Sequence, residues 1–311
     1  MTTLLATVVA MLCVPGAASA ADPSATLGVY VGANKPLKVA QHEQWRGRPV
    51  ARVLDFLADD DWSKIAWPTW WTNGWAASPY KDRLVYSVPM LPRYTGTMQQ
   101  GATGAYNWNF VELAKTLRKS GQPTAVIRLG WEFNGSWYRW AAGPNPQAYI
   151  RYYRQIVTAM RSVTGTAFTF DWSATMGPSA MPADAAYPGD AYVDTIGLDV
   201  YDQYWGPNPT DPEARWNSYV SMPYGLAWHR DFAAAHGKPM SFPEWGVIIR
   251  SDGHGGGDSP TFVQHMRDWI AANNVAYSMY FEYATTTDKS ALMTGMFSQS
   301  AAKFLQLFGA P

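Results

Sequence analysis

Eight short apolar runs, separated by segments long enough for helices, constrain this sequence more than any other feature. They are Leu27–Val31, Val50–Asp55, Leu84–Met90, Thr124–Leu129, Ala167–Trp172, Val193–Val200, Met240–Glu244 and Tyr277–Tyr283. The runs are β-branched or aromatic, and several are apolar on both faces, as strands of a buried parallel sheet should be. Five intervening segments read as helices. Asn107–Lys119 ends at Ser120-Gly121 with Lys115, Arg118 and Lys119 in its last turns. Pro146–Val163 begins on proline and stops before Gly165, and Pro212–Ala235 precedes Gly237. Pro260–Asn273 follows Ser259 as its N-cap, and Ala291–Phe308 closes the chain. Eight strands alternating with helices over about 290 residues predict one α/β domain, a single (β/α)8 TIM barrel. A doubly wound open sheet would favour a glycine-rich turn after the first strand, and Gly32-Ala33-Asn34 is no GxGxxG.

Residues 1–20 read as a secretory signal peptide, so the predicted location is extracellular. Leu4 to Val14 form an apolar stretch, Pro15 and Gly16 break it, and Ala18-Ser19-Ala20 supplies a small-x-small cleavage pattern. The apolar run is well short of the ~20 residues that a membrane span needs. The single cysteine, Cys13, lies inside this segment, so residues 21–311 form no disulfide. No low-complexity linker or charge block divides residues 21–311, which are therefore expected to be one catalytic barrel domain and a monomer. With 24 basic and 24 acidic side chains, the chain has no electrostatic pull toward nucleic acid or an anionic membrane. Aromatic residues are plentiful instead: 16 Trp, 18 Tyr and 12 Phe. That much apolar surface excludes a disordered protein.

Chemistry on a parallel barrel sits where the strands deliver their C-terminal ends. Two predicted strands end in glutamate: Val126-Ile127-Arg128-Leu129-Gly130-Trp131-Glu132 and Pro239-Met240-Ser241-Phe242-Pro243-Glu244. Each Glu follows an apolar run, which places it at the barrel mouth and not on a solvated helix face. Glycoside hydrolysis needs such a pair, one carboxyl protonated to assist the leaving oxygen and the other ionised to attack the anomeric carbon. A spacing of roughly 5–5.5 Å retains configuration through a covalent intermediate. Trp131 and Phe133 flank Glu132, and an apolar neighbourhood raises a carboxyl pKa. Glu132 is therefore read as the acid/base and Glu244 as the nucleophile. Glu282 is a third strand-end carboxylate, able to hold a sugar hydroxyl or to replace Glu244 as nucleophile.

These residues carry a resemblance. Arg128-Leu129-Gly130-Trp131-Glu132-Phe133-Asn134-Gly135-Ser136-Trp137-Tyr138-Arg139-Trp140 resembles the acid/base segment of glycoside hydrolase family 26, the family of many bacterial β-mannanases. Gly28–Gly32, Trp45–Val50 with Leu54–Phe56, Tyr192–Tyr201 and Phe242–Gly246 are similar to its first strand, its approach to strand two, its strand six and its nucleophile segment. The resemblance implies a retaining endo-β-glycanase that acts on β-1,4-mannan, with Glu132 as acid/base and Glu244 as nucleophile. Tyr201 matches the family tyrosine whose hydroxyl supports the nucleophile. Family mannanases usually carry His immediately before the acid/base and often a Trp on strand eight; here stand Trp131 and Tyr280-Phe281-Glu282. The family also holds β-1,3-xylanases and mixed-linkage glucanases, so another β-glycan is the alternative substrate, and a non-catalytic glycan-binding barrel is the alternative class.

Aromatic faces stack on the C–H faces of pyranose rings. Trp137, Trp140, Trp172 and Trp245 lie at or just after strand ends and are expected in the cleft. With Arg128, Trp131, Asn134, Tyr201 and Glu282 they make up the expected substrate-contacting set. Arg128, pointing into the barrel, is expected to orient a carboxylate. Trp62, Trp67, Trp70, Trp71 and Trp75 crowd the segment after strand two, and Trp205 follows strand six. Asp199 and Asp202 flank Tyr201 and read as rim hydrogen-bonding groups. His42, His229, His236, His254 and His265 show no metal spacing, Asp59-Asp60-Asp61 reads as a helix start, and no GxSxG supports a serine nucleophile. No metal or cofactor is expected.

Overall fold

The computed structural model describes residues 22–205 and 211–310. Eight strands close into a barrel, each pairing in parallel with the next. They are β1 Leu27–Tyr30, β2 Val53–Phe56, β3 Leu84–Val88, β4 Val126–Leu129, β5 Thr169–Thr175, β6 Thr195–Tyr201, β7 Met240–Gly246 and β8 Val275–Phe281. Closure comes from β1 against β8, with Leu27 opposite Ser278 and Tyr30 opposite Phe281. The chain is thus the (β/α)8 barrel that the eight runs predict. The expected signal segment, residues 1–20, lies outside the described residues. No helix among the described residues is long and apolar enough to cross a membrane.

Strand alternation sorts side chains into two cores. Ile127 and Leu129 of β4, Phe170 and Trp172 of β5, and Ile196 and Leu198 of β6 belong to the large apolar layer between barrel and helices. Leu54, Val85, Val126, Tyr277 and Met279 fill a smaller cluster with Tyr30, Phe56 and Phe281. The inward residues of the same strands also include Arg128, Asp171, Ser173 and Asp199, all buried. The barrel interior is apolar in one part and charged in another.

β7 departs from strict alternation. Its register with β6 shifts by one residue between the pairs Gly197–Ser241 and Val200–Trp245. An inserted residue of this kind puts two neighbours on one side of the strand. Pro243 meets Gly197 inside the barrel, where a Cβ on that glycine would come 3.0 Å from Pro243 Cγ. Glu244 joins it inside, and Trp245 is turned outward against Tyr280, Phe304 and Phe308.

The helices differ from the sequence expectation where glycine or a left-handed residue intervenes. Asn107–Lys119 forms as predicted, Pro146–Arg161 stops two residues early, and Pro260–Ala272 is capped by the Ser259 side chain. Pro212–Ala235 is not continuous: it divides into Pro212–Ser221 and Leu226–Ala235. Tyr224 at the break has φ +57°, and a Cβ on Gly225 would come 2.3 Å from the Tyr219 carbonyl oxygen. Likewise Ala291–Phe308 becomes a 3-10 turn, Leu292–Thr294, then Gly295 at φ +80°, then the helix Ser298–Phe308. Four helices had no counterpart in the sequence reading: Pro36–Arg46, Trp62–Ala66, Thr69–Ala76 and Met98–Ala102. Asp61 does start one of them, its side chain accepting from the Ser63 and Lys64 amides. The link from β5 to β6 carries only the 3-10 turn Ala183–Ala186.

Gly28 tests the closure of the barrel. A Cβ there would lie 2.5 Å from the Arg52 carbonyl oxygen and 2.4 Å from Met279 Sδ. Gly28→Ala is expected to destabilise the fold by about 1–3 kcal/mol, as overpacking does, and to lower the urea midpoint.

Candidate active site

The C-terminal strand ends open into a cleft of about 800 Å³. Glu132, Trp137, Tyr201 and Glu244 line it, with Met176, Pro178 and Met222 on apolar stretches and Gln203, Arg250 and Asp288 on polar ones. The two glutamates therefore face one hollow, as the sequence predicts.

Beyond β4 the chain turns sharply to present Glu132. Gly130 has φ +55°, and Glu132 itself has φ +50°. A left-handed conformation is unfavourable for a residue with a Cβ, and it persists where surroundings hold it. Here the Glu132 amide donates to the Ser173 carbonyl at 2.8 Å, and the Gly135 amide donates back to the Glu132 carbonyl at 3.0 Å. The Trp137 indole N–H reaches Glu132 Oε2 at 2.9 Å. That fold-back needs Gly135: a Cβ there would sit 2.4 Å from the Trp137 ring.

Glu244 is gripped at both oxygens. Arg128 Nη1 donates to Oε1 at 2.5 Å and the Tyr201 hydroxyl donates to Oε2 at 2.8 Å. Arg128 is wholly buried, gives Nη2 to Asp199, and sends Nη1 also to Ser87 Oγ at 3.0 Å. Burial opposes its charge, but the carboxylates of Asp199 and Glu244 outweigh this and push its pKa further up, so it stays protonated. Burial, followed by the neighbouring charge of Glu244, raises Glu132 to about 7. Tyr201 is pushed well above the ordinary phenol range by burial and by Glu244, which keeps its hydroxyl a donor.

The expected substrate-contacting set divides. Trp137 and Tyr201 line the cleft; the others do not. Arg128 lies beneath it as the carboxylate holder. Trp131 is 5 % exposed, packed on Phe56, Tyr138 and Trp140, with its indole N–H on the Tyr138 hydroxyl at 2.9 Å. Trp140 is buried flat on Tyr138 and donates to the Trp131 carbonyl at 2.8 Å. Asn134 braces the loop, exchanging two 2.9 Å hydrogen bonds with the backbone of Thr175. Trp172 points outward against Phe133, Tyr187 and Phe232, because its neighbours Asp171 and Ser173 take the inward positions. Trp245 is outward for the reason given by the β7 register.

Glu282 occupies a different hollow, of about 250 Å³, beside Lys38 and Gln41. Its oxygens accept from the Leu292 and Met293 amides, both at 2.9 Å. Burial raises it to about 7, partly offset by those amides. It is removed as a rival to Glu244; Phe281, one residue earlier, takes the inward position and lines the cleft. The tryptophans after β2 are not cleft residues either. Trp75 is buried and donates to Asp55 at 2.6 Å, Trp62 packs on Tyr106 and Phe110, and Trp67 and Trp70 are exposed elsewhere. Sequence reasoning missed Gln203, Tyr204, Arg250, Tyr283 and Asp288 on the cleft wall. Gln203 and Tyr204 sit on a loop, Arg250 and Asp288 on two-residue strands and Tyr283 just past β8, where no periodicity announces which way a side chain faces. Among the described residues, no group of three or more His, Asp or Glu is placed to hold a metal ion.

Arg128→Met would leave Asp199 and Glu244 buried without a counter-charge. The expected loss is about 3–5 kcal/mol of stability at pH 7, read by urea titration. The penalty applies only to the ionised carboxyls, so the deficit should narrow as pH falls toward about 4, below which they are protonated in the unfolded chain as well. An equal deficit at both pH values would contradict the charge-pairing account.

Comparison with known proteins agrees with this architecture. The sequence model of glycosyl hydrolase family 26 matches residues 103–225, a stretch that contains Arg128, Glu132 and Tyr201. A mannan endo-1,4-beta-mannosidase of Bifidobacterium adolescentis is 24% identical over 265 residues, which are 80% of this chain and 25% of that protein. Endoglucanase H of Acetivibrio thermocellus is 24% identical over 207 residues, 62% of this chain and 21% of that protein. The chain thus spans a quarter or less of each curated relative. The solved structure of a Bacillus subtilis mannanase shares the fold at TM-score 0.61 and 16% identity, over 90% of this chain and 84% of that one.

Proposed function

On the match of residues 103–225 to glycosyl hydrolase family 26 we propose a secreted, retaining endo-β-glycanase that hydrolyses β-1,4-mannan. The observation that carries the proposal is the unequal treatment of two glutamates in one cleft. Glu244 receives a guanidinium and a phenol hydroxyl, while Glu132 is held near neutrality by burial and by Glu244. This is the division of labour that double displacement requires.

In the first step a Glu244 oxygen bonds to the anomeric carbon as the glycosidic C–O bond breaks. Glu132 delivers its proton to the departing oxygen. Esterification removes the charge of Glu244, and with it the repulsion that raised Glu132. Glu132, now ionised, takes a proton from water, whose oxygen attacks the same carbon and releases Glu244. Arg128 and Tyr201 stabilise the carboxylate before and after the ester exists. Trp137 favours the ionised form of Glu132 through its N–H and offers a ring, 56 % exposed, to the sugar beyond the cleavage point. Residues 1–20 would be removed on export, leaving the barrel of residues 21–311.

Mannan is favoured by the named activity of the Bifidobacterium relative. The Acetivibrio endoglucanase supports a second reading, a β-glucan substrate on the same machinery. The expected contact of Trp131 with the sugar does not separate these readings, since its ring is buried in the aromatic packet. A reducing-sugar screen on mannan, xylan and mixed-linkage glucan decides between them. On the substrate that is cut, Glu132→Gln and Glu244→Gln should each lower kcat by about 10²–10⁴-fold or more. Azide should rescue Glu244→Ala and yield a glycosyl azide of inverted configuration; rescue without inversion would overturn the assignment. The general acid must be protonated, so kcat/KM should fall as pH rises through about 7. Trp137→Phe removes a donor to the ionised form and should move that limb to higher pH.

A further inference from the structure

Three βα loops meet on the wall of the cleft. Two short strands, Ile249–Arg250 and Asp288–Lys289, pair antiparallel across the loops that follow β7 and β8. Arg250 joins these to the loop after β6. Its guanidinium chelates Asp252, the nearest contact 2.6 Å, lies 3.4 Å from Asp288, donates to Gln203 Oε1 at 3.2 Å, and sits 5.2 Å from the centre of the Trp205 ring. The His254 imidazole stacks on Trp205 at 4.0 Å and 29°, anchored in turn to the Tyr204 carbonyl.

Trp205 is nevertheless 63 % exposed, and it lines the cleft together with Gln203, Tyr204, Arg250, Thr285 and Asp288. The indole is thus held by two side chains and still keeps most of its surface open. On the same wall stand groups able to bond a sugar's hydroxyls: a carboxylate at Asp288, the Gln203 amide, whose oxygen is already used by Arg250 so that its NH₂ is the free half, and the hydroxyl of Tyr204. A flat apolar face rimmed by hydrogen-bonding groups is the arrangement that binds a pyranose. The two aspartates neutralise Arg250, so the wall has no net attraction for an acidic chain.

We propose that Trp205, oriented by Arg250 and His254, is a stacking platform for an additional, uncharged sugar ring of a polymeric substrate, remote from the cleaved bond. Arg250 is a positioning residue: it fixes the indole and fastens the three loops. This deepens the glycanase reading and rests on it.

The test compares the full chain with Trp205→Ala, Trp205→Phe and Arg250→Gln. The ratio of kcat/KM on soluble polysaccharide to kcat/KM on the shortest aryl glycoside that is cut should fall about tenfold in Trp205→Ala, the scale of one lost aromatic contact. Trp205→Phe should keep most of the ratio, and Arg250→Gln should lower it in the same direction. An unchanged ratio in Trp205→Ala would overturn the proposal, whatever the absolute rates. Affinity electrophoresis in gels containing galactomannan, xylan or barley β-glucan reads the platform without catalysis. Retardation that weakens in Trp205→Ala supports the platform even if no hydrolysis is found and the glycanase reading fails. Retardation of Trp205→Ala equal to that of the parent chain, or none for either, overturns it.

Discussion

One buried guanidinium organises the interior of this barrel. Arg128 sits on β4 with no exposed surface, and it reaches Asp199 on β6, Glu244 on β7 and Ser87 on β3. A charge taken out of water costs several kcal/mol unless partners replace the water, and a hydrophobic side chain of like volume usually serves stability as well or better. The arrangement therefore makes little sense as a stabilising device. It makes sense as a way to fix a carboxylate at the cleft floor while closing three strands around it.

Burial and the charge count act together on the carboxyls around Arg128. Asp199, Glu244 and Glu132 share one cation, and three ionised carboxylates would leave two uncompensated charges in a poorly hydrated space. Arg128 donates directly to Asp199 and Glu244, whereas Glu132 has the neutral indole of Trp137. Glu132 is raised to about 7, by burial first and by the charge of Glu244 second, while burial pushes Asp199 well above the ordinary carboxylate range against the pull of Arg128. Trp131 and Phe133, which flank Glu132 in the sequence, are both buried; the charge of Glu244 has no signature in local sequence.

The sequence shows the barrel plainly because β-branched, doubly apolar runs have few other uses, and the two glutamates at run ends stand out against so few charges. It conceals whatever depends on which way a strand residue faces. Trp172 and Trp245 end up in the outer core, one by strict alternation and the other by the extra residue in β7. Trp140 and Asn134 are committed to backbone partners far along the chain or across a loop. Glu282 falls on the outward phase of β8, with Phe281 inward. A periodicity of two is visible in a strand, but its phase relative to the barrel axis is set by neighbours, and one inserted residue reverses it. The long helix expected over Pro212–Ala235 breaks for a local reason, at left-handed Tyr224 and at Gly225, which lies against the Tyr219 carbonyl in the last turns of Pro212–Ser221.

The backbone at Glu132 joins these points. In the proposed mechanism Glu132 gives a proton and then takes one, and it must keep its carboxyl in place while its charge changes, although both the attraction to Arg128 and the repulsion from Glu244 change with it. A side chain free to relax would move toward the guanidinium once ionised and lose its position as the base. Three attachments oppose that movement: the left-handed φ, the amide bound to the Ser173 carbonyl, and the Trp137 N–H on the outer oxygen. Asn134 clamps the same loop to Thr175 one strand away. The strained conformation at Glu132 is thus the counterpart of the buried charge at Arg128: in the proposed mechanism one fixes the carboxyl that changes protonation, and the other fixes the carboxylate that attacks.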